Sequence, residues 1–217
     1  MNERFPNADG HNDYQHDGDP AESETETSRE QQQLNPRIYV TKGLPLRAEL
    51  TTGTWLDMAR DPREIYAEMY AVLEDEASDG ERLYIWDYRD FGAFTVTTGA
   101  IGLEGVDSIE LLAQVARGIA EHGPAYAVWA DVHEDDPHLF DHFVNAYKGQ
   151  HETMAAYVRQ MFEPLKIEAT LRQVVPAGLE NFVYIDYGAV GEEMLREGDI
   201  VAFPAEDGGV WIFDEKS

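Results

Sequence analysis

His138 and His142 stand four residues apart in the stretch Glu134 to Phe162, with Asp141 between them and His133 just upstream. On an α-helix that spacing puts both imidazoles on one face, the arrangement a divalent metal uses. No further ligand is fixed by the spacing, and solvent-facing histidines on an acidic helix account for it equally well. The segment DGHNDYQHDGDP near the start gathers Asp and His too, but without the spacing of a calcium loop. Tyr84, Trp86 and Tyr88 alternate as a base-stacking platform would. Against a net charge of −27, nucleic acid would meet like charge, so sheet packing is the better account of those rings. There is no cysteine, which removes thiol catalysis, disulfides and Cys-ligated zinc. A Gly-rich phosphate loop, a nucleophile elbow and a metalloprotease helix are all missing from the sequence.

What the chain does have in excess is carboxylate: 43 acidic residues against 16 basic ones in 217. That balance disfavours nucleic acid and anionic membrane as partners and points to a basic one. No apolar run approaches the ~20 residues of a spanning helix, and the start MNERFPNADGHND lacks a signal-peptide core, so a cytoplasmic protein is expected. The charge is spread. Residues 1–36 carry net −7, 37–106 net −6, 107–163 net −7 and 164–217 net −7. A single docking patch would concentrate charge. Carboxylate pairs are so common here that none singles out an acid–base site.

The elements that must position these groups follow from periodicity. Residues 1–36 are polar, with few branched aliphatics, and read as a disordered acidic tail. Residues 37–106 read as an N-terminal α+β domain with a three-stranded sheet: Arg37–Val40, Thr51–Met58 and Leu83–Tyr88, with a helix from the capping box Asp61-Pro62-Arg63-Glu64 to about Ala77. Asp61, Glu64, Glu68 and Asp75 fall within roughly 60° of one another on that helix, taking ~100° per residue. Like charges four apart cost ~0.2–0.5 kcal/mol per pair. The stretch Thr95–Gly105, rich in Gly and Thr, gives no assignment.

Residues 107–163 read as a helical middle domain. Asp107-Ser108-x-Glu110 opens a helix that ends at Gly123-Pro124, and Ala125–Val132 forms another. Asp136-Pro137 starts a helix with Leu139, Phe140, Phe143, Val144 and Tyr147 on one stripe, stopped at Lys148-Gly149. A last helix carries Met154, Tyr157, Val158, Met161 and Phe162. Residues 164–217 read as a second small α+β domain. There Leu165, Ile167, Ala169 and Leu171 alternate as in a strand, Phe182–Tyr187 forms a strand, and a short helix passes through Glu192 and Leu195. A hairpin then turns at Glu206–Gly209.

These pieces occur in a suggestive order. Arg37-Ile38-Tyr39-Val40, Gly53-x-Trp55-x-Asp57, Ile85-x-Asp87-Tyr88-x-x-Phe91, Glu121-His122-Gly123, Tyr147-x-Gly149, Tyr184-Ile185-Asp186-Tyr187 and Val210-x-x-Phe213 together resemble the ArdA family of antirestriction proteins. Leu44, Pro45 and Leu46 depart from the family's polar turn, and Thr95–Gly105 matches poorly. The resemblance implies an elongated α+β protein that forms a homodimer, imitates the shape and charge of duplex DNA, and travels on mobile elements. It implies occupation of the DNA groove of Type I restriction-modification enzymes, at their methyltransferase core, inhibiting restriction and in many cases modification. No catalysis and no cofactor are implied. The carboxylates that would stand for phosphates are Asp61, Glu64, Glu68, Asp75, Asp87, Asp90, Glu110, Glu121, Glu134, Asp135, Asp136, Asp141, Glu152, Asp186, Glu192 and Glu193. Met154, Tyr157, Val158, Met161, Phe162 and Leu165 offer a relatively uncharged apolar seam for a dimer. Two other readings of the acidity stay open: a haloadapted protein, which four lysines against twelve arginines would suit, and a chaperone-like binder of basic proteins.

Overall fold

In Arg37–Lys42, inward Ile38 and Val40 alternate with half-exposed Arg37 and Tyr39, the period of a half-buried strand, β1. The computed structural model describes residues 34–43, 53–72, 82–176, 178–179 and 182–216. Expectations for residues 1–33, for most of the loop at 41–52 and for Asp75 lie outside them. β1 lies inside an antiparallel sheet of order β2-β1-β3-β4, with β2 at Gly53–Asp57, β3 at Leu83–Arg89 and β4 at Gly99–Ala100. The fourth strand, beyond the three expected, is two residues long and too short to announce itself by alternation.

Register decides which rings face where. Ile38 pairs with Leu56 on one side and Tyr88 on the other, so Tyr88 lies on the core face. The pairing then shifts: Tyr39 faces Asp87 but Val40 faces Ile85, leaving Trp86 as an extra residue. Such a bulge resets the alternation. Trp86 is exposed while Tyr84 and Tyr88 are half-buried, so the three rings share no face and no platform forms.

Helix α1, Pro62–Val72, starts where the sequence predicts. Asp61 Oδ1 accepts the Arg63 N–H at 2.8 Å, and Ile65 and Met69 are buried. Helix α2, Ile109–His122, is capped by Ser108, which accepts the Leu111 N–H at 3.1 Å, and it buries Ile109, Leu112, Val115, Ala116 and Ile119 as its period requires. Helix α3, Pro124–Val132, follows through Gly123 and is buried on consecutive residues from Ala125 to Ala130. Trp129 ties it downstream, donating Nε1–H to the Leu139 carbonyl at 2.9 Å and stacking on Phe213 at 5.5 Å. A single core cluster joins the first sheet, α1, α2, α3, Phe140, Phe143, Trp211 and Phe213.

Three expected elements differ. The helix expected from Asp136 to Tyr147 is a 3₁₀ turn over Pro137–His142, one α-turn (α4, Phe143–Ala146) and then a strand, β5, at Tyr147–His151. Three residues per turn bring Phe140 and Phe143 to the same side. Both reach the Tyr126 ring, at 6.3 and 5.1 Å, while Val144 is left exposed. β5 joins a second antiparallel sheet of order β5-β7-β6, with β6 at Ile200–Pro204 and β7 at Val210–Asp214, the predicted hairpin.

Helix α5, Met154–Phe162, forms as expected, capped by Thr153. The alternating run after it is not a strand but α6, Ile167–Val174. Ile167, Leu171 and Val174 also satisfy a helical period, and the chain leaves Pro164 through a left-handed Lys166. Finally, Phe182 closes a turn on the Leu179 carbonyl, and the residues up to Asp186 are unpaired before helix α7, Tyr187–Glu197. Their aromatic and β-branched types mimic a strand, but no sheet edge among the described residues receives them.

Candidate acidic interaction surface

Basic side chains neutralise only part of this acidic surface. Arg60 lies 2.6 Å from Glu68, Arg37 4.0 Å from Asp90, and Lys148 3.4 Å from Asp214. Glu168 takes Arg159 at 3.9 Å and Arg172 at 3.7 Å, Arg196 pairs with Glu193, and Lys216 pairs with Asp199. Other acids hold backbone. Asp61 and Asp186 cap their helices, Asp87 accepts the Tyr88 N–H at 2.8 Å, and Asp131 accepts the Thr95 N–H at 3.1 Å. Glu110, in the first turn of α2, accepts the Tyr66 hydroxyl at 3.3 Å, and the Tyr66 ring stacks on Tyr70.

After these are set aside, Glu64, Asp135, Asp136, Asp141, Glu152 and Glu192 are exposed, with no ion-pair partner among the described residues. They lie on α1, on the turn after α3, in the 3₁₀ segment, beside α5 and on α7. Glu121, at the end of α2, has His122 at 3.9 Å as its ion-pair partner among the described residues. Of the sixteen expected carboxylates, Asp75 lies outside the described residues and the other fifteen are exposed or half-exposed; Glu68 and Glu193 are the two held closely by arginine.

Like charges converge around the end of α3. Burial holds the Glu134 carboxyl above the usual range, and Asp107, Asp131 and Asp135 push it the same way. Asp141 and Glu121 flank Tyr126, whose hydroxyl burial first, and then Asp141, pushes up to about 12. Neither His138 nor His142 joins them as a ligand set. In a 3₁₀ turn residues four apart point ~120° from each other, and no group of three or more His, Asp or Glu among the described residues converges as a metal requires.

Sequence reasoning missed Asp107. It precedes the cap of α2, is 8% exposed, and accepts the Thr97 N–H at 2.7 Å. Its position beside Ser108 suggests a helix start, and nothing local signals burial. Burial raises its pKa, against which the Thr97 bond works. The folded chain therefore holds this proton more tightly than the unfolded chain does, and stability falls as pH rises from the ordinary aspartate value through the raised one. Asp107→Asn keeps an acceptor for Thr97 and removes the buried charge. At pH 7 it should raise Tm by about 2–4 °C, the effect of ~1 kcal/mol in a chain this size, and the gain should vanish below pH 4. A Tm unchanged or lowered at pH 7 would overturn this.

The family model described as antirestriction protein (ArdA) matches residues 38–207. Among curated proteins no match is found.

Proposed function

The chain belongs to the ArdA family of antirestriction proteins, and from that premise we propose that it inhibits by imitating duplex DNA. In this reading it occupies the DNA groove at the methyltransferase core of Type I restriction-modification enzymes. It thereby blocks restriction and, because methylation uses the same groove, modification. The chain acts as a homodimer and needs no cofactor.

The supporting observation is the set of exposed carboxylates without ion-pair partners in every part of the described chain. Residues 37–217 hold 34 acidic and 14 basic residues. Two copies thus carry −40, the charge of roughly 20 base pairs, or about 70 Å, at one charge per ~1.7 Å. A basic groove that gives up its counterions to DNA would do so to such a surface as well.

Competition tests the reading. Purified chain should displace duplex DNA from a Type I methyltransferase core, and its expression should raise plating of unmodified phage on a restricting host. Raising salt from 50 to 200 mM should weaken that displacement by orders of magnitude. A chaperone-like binder would instead hold polylysine or histones as tightly as the core. A haloadapted protein would unfold at low salt and leave DNA bound. Either outcome rejects mimicry.

A further inference from the structure

The corner between α2 and α3 gathers side chains that spread charge leaves without a task. Helix α2 ends on Glu121 and His122, and Gly123 and Pro124 turn the chain into α3 so that the Tyr126 ring lies over Gly118. The 3₁₀ segment brings Phe140 and Asp141 alongside. Between these elements is a cleft of about 340 Å³. That is the small end of the ~300–1,000 Å³ that ligand sites span, the scale of one long side chain.

Tyr126 is the group the fold does not account for. It is 5% exposed, yet its hydroxyl makes no hydrogen bond among the described residues. A buried hydroxyl without a partner costs free energy that a phenylalanine in its place would not. The ring carbon that bears the hydroxyl is among the atoms closest to Gly118, so the oxygen lies just beyond that glycine. The charges that act on it belong to Asp141, Arg117 and Glu121, and all three line the cleft. The hydroxyl therefore opens into the cleft. With its pKa pushed up to about 12 it keeps its proton, and it is both donor and acceptor there.

Charge selects what can enter. Glu121 and Asp141 stand exposed at the rim, and the negative end of α2 adds to them. Arg117 lines the cleft as well, but its Nη1 donates to the Arg60 carbonyl at 2.9 Å, toward α1. An anion is disfavoured, and the described residues offer no three-ligand set for a metal. The rings beneath the rim are tilted by small angles: His122 is 5.7 Å from Tyr126 at 28° and 5.0 Å from Phe143 at 32°. A guanidinium suits this set better than an ammonium. It is flat, it stacks on rings, and its N–H donors diverge in one plane toward several acceptors at once. An ammonium carries its donors on a single atom.

We propose that this cleft takes one arginine side chain of the partner protein, with the Tyr126 hydroxyl and the Glu121 and Asp141 carboxylates as its acceptors. The proposal rests on the reading of that partner as a basic DNA groove and adds a keyed contact to it. Spread carboxylates attract such a groove along its whole length without fixing where the chain sits. One arginine held in a walled cleft sets the register.

Tyr126→Phe tests this, because it keeps the ring and removes an uncharged atom that imitation of phosphate charge does not use. N-acetylarginine amide titrated into the full chain should shift the backbone amide resonances of Gly118, Glu121 and Tyr126 saturably. N-acetyllysine amide at equal concentration should shift them at least threefold less. In Tyr126→Phe the arginine probe should bind about tenfold more weakly, and displacement of DNA from a Type I methyltransferase core should weaken about tenfold with its salt slope unchanged. Glu121→Gln, at an exposed site that leaves the core untouched, should weaken probe binding about threefold, so the proposal is tested even if Tyr126→Phe does not fold. Equal response to the two probes, probe binding indifferent to both variants, or displacement unchanged in a folded Tyr126→Phe would each overturn the proposal; none of these touches mimicry. A parent chain that binds the arginine probe through Tyr126 but fails to displace DNA rejects mimicry and leaves the cleft an arginine site.

Discussion

Converting Glu64, Asp135, Asp136, Asp141, Glu152 and Glu192 together to their amides should lower inhibition of a Type I enzyme about a thousandfold near 0.15 M salt. Each change alone should cost about threefold. The scale follows from counterion release, in which 6–10 contacts account for ~10³–10⁵ in affinity between 50 and 200 mM salt. None of the six makes a side-chain cap bond or holds an ion pair among the described residues, so amides in their place should leave the fold intact. Neutralising them also relieves repulsion, and Tm should hold or rise. The salt dependence of inhibition should flatten as well, by ~0.9 in log–log slope for each contact removed. Competition titrations at four salt concentrations would measure both effects. A single carboxylate carrying the whole loss, or six changes with no loss, would defeat a distributed electrostatic mechanism.

The same six residues show how unevenly the surface could be read in advance. Exposure was legible, because acids off the apolar stripes of α1, α2 and α5 had nowhere else to point. Pairing was not. Glu68 looks like a member of an unbroken acidic row until Arg60, outside the helix, is found 2.6 Å away. Glu193 and Arg196 are three apart and were available as a pair, but Asp61 and Asp186 had to be seen holding N–H groups before they could be set apart. Fold was legible where a cap and a period agreed, as at Ser108 and α2. It failed where one set of apolar spacings served two periods. Leu165, Ile167, Ala169 and Leu171 suit a strand read by alternation, Ile167, Leu171 and Val174 suit a helix read by threes and fours, and only the lack of a receiving sheet edge among the described residues decides. Trp86 failed for a different reason, since a bulge depends on the partner strand and has no local signature.

Gly118 carries the largest expected effect on the fold itself. It lies inside α2, where glycine costs up to ~1 kcal/mol relative to alanine, so its presence needs a reason outside the helix. That reason is Tyr126 of α3: a Cβ on Gly118 would overlap the Tyr126 ring. The ring is 5% exposed and lies among Phe140, Phe143 and His122, at 6.3, 5.1 and 5.7 Å, so it has little room to retreat. Gly118→Ala should therefore destabilise the chain despite the gain in helix propensity. Overpacking costs ~1–3 kcal/mol where neighbours can shift and more where they cannot. At ~3 kcal/mol Tm should fall by roughly 6–12 °C. Tyr126→Leu alone should destabilise through lost ring contacts. In the double variant the two losses should not add, because the overlap is gone and the alanine supplies its propensity. Thermal melts of the four proteins would close that cycle. Additive losses, or a stabilised Gly118→Ala, would mean that α2 and α3 do not meet through this ring.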